Sequence, residues 1–209
     1  MSTILECRNL TKTYGAKKAL DHINLKLDSG KIIGLLGPNG SGKTTILKLI
    51  NRLLTVSDGQ LLIDGMEPGV KTKAIVAYLP ERTYLNPNMK IYEILNYFSD
   101  FYEDFDRGRA ENMLQKLNLS TQARIKTLSK GSREKVQLVL VMSRRAKLYC
   151  LDEPIAGVDP AAREYILNTI LNNYDENATI LITPPLLADF ENILDEVVFI
   201  KEGKIRKHE

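Results

Sequence analysis

The sequence predicts an α/β fold in which helices cover both faces of a mostly parallel sheet. Apolar runs of strand length recur along the chain, as at 31–36, 148–154 and 178–183, and amphipathic helical stretches separate them. Strands that alternate with helices in this way form buried parallel sheets. At 209 residues with 44% hydrophobic side chains, the length and composition predict one well-packed domain.

The first predicted element is an antiparallel hairpin over residues 3–28. Ile23, Leu25 and Leu27 alternate with polar residues after a turn at YGAKK, and this alternation is typical of a half-buried strand. Tyr14 stands on the turn. Its ring has two open alternatives, since it can pack on the sheet or offer a face on which a base stacks.

A glycine-rich loop, GPNGSGKTT, follows the strand KIIGLL and precedes a predicted helix. It fits the pattern G-x-x-x-x-G-K-[ST]. Glycines let the backbone bend around phosphate oxygens, and the N–H groups of a loop that opens a helix point at a bound anion. A glycine-rich turn that binds nothing is the alternative, but the order of strand, loop and helix favours a nucleoside triphosphate site. The predicted nucleotide contacts are Gly37, Pro38, Asn39, Gly40, Ser41, Gly42, Lys43, Thr44 and Thr45.

The helix after the loop is predicted from apolar residues that recur at three- and four-residue spacing. These residues are Ile46, Leu49, Ile50, Leu53 and Leu54. At the start of this helix, Lys43 is expected to contact the outer phosphates through charge-assisted hydrogen bonds. Thr44 is expected to offer its hydroxyl to Mg²⁺.

Two short strands and three helices are predicted next. SDGQLLIDG at 57–65 indicates a strand between two Asp-Gly turns, and AIVAYLP at 74–80 another strand that a proline ends. From residue 90 to 146 the pattern is helical. The third helix begins near Ser132 and runs through VQLVLVM. The first two helices each show an apolar stripe, formed by Ile91, Ile94, Leu95 and Phe98 in the first and by Ala110, Met113, Leu114 and Leu117 in the second.

A pair of acidic residues, Asp152 and Glu153, ends the apolar strand LYCLDEP. Burying carboxylates is costly unless they meet a cation, a proton or a hydrogen-bond donor. After a core strand, and downstream of a phosphate loop, Asp152 is predicted to hold Mg²⁺ and Glu153 to reach the attacking water. The alternative for each acid is an ordinary strand-end residue that faces solvent.

The C-terminal part again alternates helices with strands. A helix is predicted through Ile166, Ile170 and Leu171, a strand at 178–183, and a second helix over LLADFENIL. VVFIKEGKI then indicates a closing hairpin that turns at Glu202 and Gly203.

Composition excludes several classes of protein. Lys and Arg number 29 against 26 Asp and Glu, a net charge of +3, so charge gives no argument for a nucleic-acid partner. Cys7 and Cys150 form no C-x-x-C pattern, which predicts reduced thiols in an intracellular protein. We find no apolar run long enough to span a bilayer and no signal-peptide core at the N-terminus. We therefore expect a cytoplasmic chain that reaches a membrane only through a partner.

The phosphate loop and the acidic strand end together indicate a P-loop nucleoside triphosphatase. Between them, LSKGS at 128–132 resembles the LSGGQ signature of ATP-binding-cassette (ABC) ATPases, with lysine and serine replacing the first glycine and the glutamine. The resemblance covers essentially the whole chain. It implies a RecA-like core with a mostly parallel sheet, an N-terminal antiparallel β-subdomain and an α-helical subdomain inserted at about 85–146. All of these would lie in a single ATPase domain, 1–209.

The resemblance also implies roles for individual residues. Tyr14 stands where the family has its adenine-stacking aromatic, and Glu81 in AYLPE where it most often has a metal-contacting glutamine. Asp159 in AGVDP belongs to the loop after the acids. Ser129 and Gly131 would close over the γ-phosphate held by a second cassette in a head-to-tail dimer. Read without the family, LSKGS is only a helix N-cap.

The implied function is an ATP- and Mg²⁺-dependent subunit that acts with membrane-spanning transporter subunits and a second, identical or different, cassette. ERTYLNPNMKIYEIL at 81–95 resembles the same stretch in the nucleotide-binding subunits of bacterial ABC exporters. The subunit would lie on the inner face of the cell membrane. One rival is a soluble ABC protein that acts as a switch in translation or DNA repair. A kinase or GTPase does not account for LSKGS.

The chain departs from the family after the strand at 178–183. The family has a histidine that touches the γ-phosphate there, and in ILITPPLLADFE that position is Pro185. Proline has neither a side-chain donor nor a backbone N–H. ATP binding with slow hydrolysis is therefore expected. Pro185 also suits the first position of a helix, where its fixed φ is favourable.

Overall fold

The structure is a computed structural model that describes residues 2–154, 167–172, 175, 177–184 and 190–209. The strands are β1 (Thr3–Tyr14), β2 (Lys17–Asp28), β3 (Ile32–Leu36), β4 (Asp58–Ile63), β5 (Val76–Leu79), β6 (Leu148–Asp152), β7 (Thr179–Thr183), β8 (Glu196–Lys201) and β9 (Lys204–His208). The helices are α1 (Lys43–Ile50), α2 (Val70–Lys73), α3 (Ile91–Phe101), α4 (Arg107–Lys116) and α5 (Lys130–Met142).

A six-stranded sheet forms the centre of the molecule, with strand order β5-β6-β7-β3-β8-β9. All neighbouring pairs are parallel except β8 with β9. The predicted mostly parallel sheet and the closing hairpin are therefore confirmed. Parallel strands end at a common edge, so the loops after β3, β6 and β7 lie side by side.

A separate three-stranded antiparallel sheet has the order β2-β1-β4. The predicted N-terminal hairpin is confirmed, because β1 and β2 pair antiparallel with Tyr14 opposite Lys17. Strand β4 begins at Asp58, so the first Asp-Gly pair lies within the strand and not in a turn. This sheet and α1 cover one face of the central sheet through a shared apolar cluster.

Helix α1 is shorter than predicted. It buries Ile46, Leu49 and Ile50 as expected and ends at Ile50. Leu53 lies beyond the end and is 58% exposed, so its predicted place on the buried helix face is wrong. The backbone turns at Arg52, which has a positive φ of 55°, and this breaks the helical periodicity.

Helices α3, α4 and α5 cover the other face of the central sheet and confirm the predicted helical region. Each begins at a capped end: the Glu93 carboxylate accepts from Lys90 N at 2.6 Å, Asp106 from Arg109 N at 2.9 Å, and Ser129 Oγ from Ser132 N at 3.1 Å. Such caps satisfy N–H groups that have no partner within the helix. Because Ser129 is the N-cap, α5 begins at Lys130, two residues before the predicted start.

The predicted C-terminal helices are only partly covered by the described residues. Residues 167–172 are helical, as expected, whereas Ile166 lies outside the described chain. In LLADFENIL, residues 190–193 form turns and not the predicted helix, and 185–189 lie outside the described chain.

Two further expectations concern cysteines and membranes. Cys7 and Cys150 are buried and form no disulfide, and burial raises the pKa of each thiol to about 12. Both thiols are therefore protonated and unreactive at neutral pH. Within the described ranges, no helix is long and apolar enough to cross a bilayer.

Candidate functional site

An open cavity of about 420 Å³ lies where the glycine-rich loop, the hairpin turn and the end of β6 meet. Nine residues predicted from the sequence line it: Tyr14, Asn39, Gly40, Gly42, Lys43, Thr44, Thr45, Glu81 and Glu153. The tertiary structure therefore brings together residues that are up to 139 positions apart in the sequence (153 − 14).

The loop 37–45 needs glycine at particular positions. Gly37, Gly40 and Gly42 have φ values of 153°, 77° and 117°, which side chains other than glycine rarely adopt. A Cβ on Gly37 would lie 2.0 Å from the carbonyl oxygen of Ile200, and one on Gly42 would lie 2.8 Å from that of Ala19. The loop is thus held tightly against β8 and β2.

Two residues inside the loop hold it in shape. The N–H of Ser41 donates to the carbonyl of Pro38 at 3.1 Å, and the carbonyl of Ser41 accepts from Gly203 N at 2.9 Å. Ser41 Oγ is buried and has no hydrogen-bond partner among the described residues.

Lys43 is 9% exposed and folds back over the loop. Its Nζ donates to the carbonyl oxygens of Gly37 at 2.7 Å and Pro38 at 3.2 Å. The ammonium therefore lies in the cavity, beside the first turn of α1, whose free N–H groups favour an anion. This geometry suits a polyphosphate, which would meet both groups of donors.

Asp152 ends β6 and is 2% exposed. Thr183 Oγ1 donates to its Oδ1 at 2.7 Å, and Thr44 Oγ1 at 3.4 Å. Burial raises the pKa of this carboxyl group, although both hydrogen bonds lower it. The other oxygen, Oδ2, is buried and unpartnered among the described residues, so an acceptor is available for a cation.

Asp152, Thr44 and Glu81 fit a Mg²⁺ site that phosphate oxygens complete. The described residues contain no group of three or more His, Cys, Asp or Glu placed to hold a metal on their own. Mg²⁺ in nucleotide sites is usually bound by one or two carboxylates together with the phosphates of the substrate. The unpartnered Asp152 Oδ2 and the nearby Thr44 hydroxyl provide ligands of this kind.

Glu153 lines the cavity from the residue after β6. Its φ of 50° is unusual for a residue other than glycine. Its N–H donates to the carbonyl and to the hydroxyl of Thr183, at 3.1 and 3.0 Å, which holds this conformation. Burial, then the charges of Glu81 and Asp152, raise the pKa of the Glu153 carboxyl group.

Tyr14 is the last residue of β1 and stands at the hairpin turn, opposite Lys17. Its ring is 47% exposed and lines the cavity. Lys12 Nζ lies 5.3 Å from the ring centroid. The ring is therefore accessible to a bound molecule.

Six of the predicted site residues that the structure describes do not line this cavity: Gly37, Pro38, Ser41, Asp152, Ser129 and Gly131. The first four belong to the loop and the strand that border it. Ser129 and Gly131 lie at the start of α5, where Ser129 is the helix N-cap and the space beside Gly131 is open. The simple N-cap interpretation of LSKGS therefore accounts for the geometry within one chain. Asp159 and Pro185 lie outside the described residues.

Sequence reasoning missed Thr183 and Lys17. Thr183 pairs in register with Asp152; its hydroxyl donates to the Asp152 carboxylate and accepts from the backbone N–H of Glu153. Its signal was present, because two neighbouring parallel strands end at these residues. Lys17 lines the cavity beside Tyr14, and its signal was its place in the same turn, YGAKK.

Comparison with known proteins gives one consistent result. The profile of the ABC transporter family matches residues 20–156. The ABC transporter ATP-binding protein YtrB of Bacillus subtilis is 30% identical over 97% of this chain and 70% of YtrB. The SkfA peptide export ATP-binding protein SkfE of the same organism is 28% identical over 97% of this chain and 87% of SkfE. A solved ATP-binding subunit of an ABC transporter superposes with a TM-score of 0.90 at 28% identity, covering 99% of this chain and 90% of that subunit.

Proposed function

The chain belongs to the ABC transporter family and is an ATPase of that family, and from this premise we propose that it powers an exporter as a Mg²⁺-dependent ATP-hydrolysing subunit. The observation that carries the proposal is the cavity that joins Tyr14, the loop at 37–45 and the acids after β5 and β6. In this proposal the whole chain, 1–209, works as a single ATPase domain with a helical subdomain at about 85–146.

ATP would lie along the cavity with its base against Tyr14 and its phosphates on the loop. Lys43 already lies within 2.7 and 3.2 Å of the loop carbonyls, so its ammonium would exchange these contacts for the charged outer phosphates. Asp152, Thr44 and Glu81 would hold Mg²⁺. When bound, the ion would neutralise charge that develops on the phosphates.

Glu153 would act as the general base. Its carboxylate would accept a proton from a water molecule while the water oxygen attacks the γ-phosphorus and ADP leaves. The hydrogen bonds from its N–H to Thr183 fix the backbone conformation from which the side chain extends. The raised pKa makes the carboxylate a stronger base than an ordinary glutamate.

A second cassette would complete the site in a head-to-tail dimer. Ser129 and Gly131 are absent from their own chain's cavity, and Ser129 is exposed at the N-terminus of a 13-residue helix. A helix N-terminus with free N–H groups favours an anion. We infer that these residues meet the γ-phosphate of the partner cassette, whether identical or different.

Membrane-spanning subunits would dock near the segment 81–92 and the helical region beside it. Three aromatic side chains here are more than half exposed, namely Tyr84, Tyr97 and Phe101, and the last two stack with ring centroids 5.1 Å apart. Such exposed aromatic rings favour a protein partner. The subunit would thereby lie on the inner face of the cell membrane. The name of SkfE supports export.

The test is Glu153→Gln, because the amide keeps the shape of the side chain and cannot accept the proton. We expect ATP binding to remain, turnover to fall about a hundred-fold or more, since general-base catalysis contributes about 10²–10⁴, and an ATP-bound dimer to accumulate in size-exclusion chromatography. Glu202→Gln, which changes a side chain that is 75% exposed, is the matched control. If Glu153→Gln hydrolyses ATP at the wild-type rate, Glu153 is not the general base.

Pro185 would slow hydrolysis, since it replaces the family's histidine with a residue that has no donor. A missing transition-state contact of this type costs about 2.7–4 kcal/mol, or 10²–10³ in rate. We expect Pro185→His to raise kcat while the dissociation constant for ATP changes little. If the wild type is already fast and histidine brings no gain, another group supplies the contact.

A further inference from the structure

Gln137 is a buried polar residue in an otherwise apolar part of helix α5. It is 2% exposed and lies between the buried residues Val136 and Leu138. Its Nε2 donates a hydrogen bond of 3.1 Å to the carbonyl oxygen of Pro80. Its Oε1 is buried and has no partner among the described residues. Only one side of this amide is therefore satisfied.

Stability does not account for glutamine at this position. Burying an acceptor without a partner costs free energy, because the acceptor loses its hydration. One neutral hydrogen bond contributes at most a comparable stabilising free energy. Methionine has a side chain of similar length without an unsatisfied amide, and it fills irregular apolar gaps. We therefore expect methionine at position 137 to fold at least as stably as glutamine.

The acceptor of this hydrogen bond lies beside the nucleotide cavity. Strand β5 ends at Leu79, and Glu81, the residue after Pro80, lines the cavity. The carbonyl group of Pro80 and the Cα of Glu81 lie in one planar peptide unit. A donor that binds this carbonyl oxygen therefore fixes the orientation of the peptide unit that precedes Glu81, and with it the position of Glu81 at the cavity.

We propose that Gln137 is a positioning residue for Glu81. By holding the carbonyl of Pro80 against α5, it keeps the Glu81 carboxylate where it contributes to Mg²⁺-dependent ATP binding. The inference rests on the proposed function, because it assigns Glu81 to the metal side of the nucleotide site.

The position of Gln137 also relates Glu81 to the start of α5. Ser129, the N-cap, precedes Gln137 by eight residues (137 − 129), which corresponds to about 12 Å along a rigid helix. The hydrogen bond thus ties the metal side of one nucleotide site to the helix that carries Ser129 and Gly131.

The test compares how much Mg²⁺ improves ATP binding in matched variants. Isothermal titration gives the dissociation constant for ATP with excess Mg²⁺ and with EDTA, and the ratio of the two measures the metal's contribution. The variants are Gln137→Met, Glu81→Ala and the double variant. Leu138→Met is the control, because Leu138 is 2% exposed on the same helix and has no polar group to lose.

We expect Gln137→Met to reduce the ratio about two- to tenfold, the range that one hydrogen bond of this kind contributes. Its melting temperature should equal or exceed that of the wild type. Glu81→Ala should also reduce the ratio, and the double variant should show no further reduction, because Gln137 acts only through Glu81. Leu138→Met should keep the wild-type ratio.

A wild-type ratio in Gln137→Met or in Glu81→Ala would overturn the inference. So would reductions that multiply in the double variant, a reduction shared by Leu138→Met, or a reduction accompanied by a clear loss of melting temperature, which indicates a structural role. In each of these cases the wild type still binds Mg²⁺ and ATP. A wild type that does not bind them would instead overturn the proposed function and this inference with it.

Discussion

Arg144→Met is expected to lower the free energy of unfolding by about 3–5 kcal/mol, because it removes a buried guanidinium from a partly buried carboxylate and from three backbone carbonyls. Arg144 follows α5, and its side chain is 4% exposed. Its Nε and Nη2 lie 3.0 and 3.1 Å from the two carboxylate oxygens of Asp104. Its Cζ also lies 3.9 Å from the centroid of the Tyr102 ring. The side chain therefore has both charged and aromatic partners.

The magnitude follows mainly from acceptors that would lose their donor. Besides Asp104, the guanidinium donates to three backbone carbonyls, those of Lys73 at 3.2 Å, Ala74 at 3.0 Å and Val76 at 2.7 Å. Each buried acceptor left unpaired costs about 1–3 kcal/mol, and neighbouring losses do not simply add. In a chain of this size 1 kcal/mol corresponds to about 2–4 °C, so the melting temperature should fall by about 6–20 °C.

Thermal and urea unfolding, followed by circular dichroism, measure this loss. Arg145→Met is the matched control: Arg145 is 70% exposed and pairs with Asp106 at 3.1 Å, so its loss should cost less than about 1 kcal/mol. Adding Asp104→Asn to Arg144→Met should recover part of the stability, because it removes the unpaired charge. Equal losses in Arg144→Met and Arg145→Met would refute the reasoning.

Three further predictions concern the nucleotide cavity. Lys17→Ala should weaken ATP binding by a few-fold more than AMP binding in titrations, because Lys17 lines the cavity and adds positive charge. The control is Lys18→Ala, which removes a partner of Asp21 and should leave the affinities for ATP and AMP unchanged. As the pH is lowered, kcat/KM should begin to fall above pH 4.5, the ordinary pKa of glutamate, because burial raises the pKa of Glu153 and only the ionised base is active. Asp152→Asn should raise the melting temperature of the nucleotide-free protein at pH 7, because a buried carboxylate whose pKa is raised by burial is destabilising once ionised. In the same variant Mg²⁺ should no longer strengthen ATP binding, and a lower melting temperature would contradict the argument.

The sequence by itself determined the local elements of the site. The glycine pattern at 37–45 predicted the loop because phosphate binding requires backbone conformations that glycine adopts easily. Likewise, apolar runs of strand length predicted β3, β6 and β7, and these runs are confirmed as neighbours in one sheet. Such predictions succeed because conformational preference and periodicity act between residues close in the chain. The same periodicity failed at Leu53, where the helix had already ended.

Only the tertiary structure decided which distant side chains share a partner. The adjacent residues Arg144 and Arg145 are identical in type, yet one is buried at 4% exposure and the other is 70% exposed. Similarly, Gln137 bonds to a carbonyl 57 positions away, and Thr183 to a carboxylate 31 positions away. Hydrogen bonds of this kind depend on how helices and strands pack, and no local pattern records that packing. Residue type limits what a side chain is able to bind, and the packing of the fold selects what it meets.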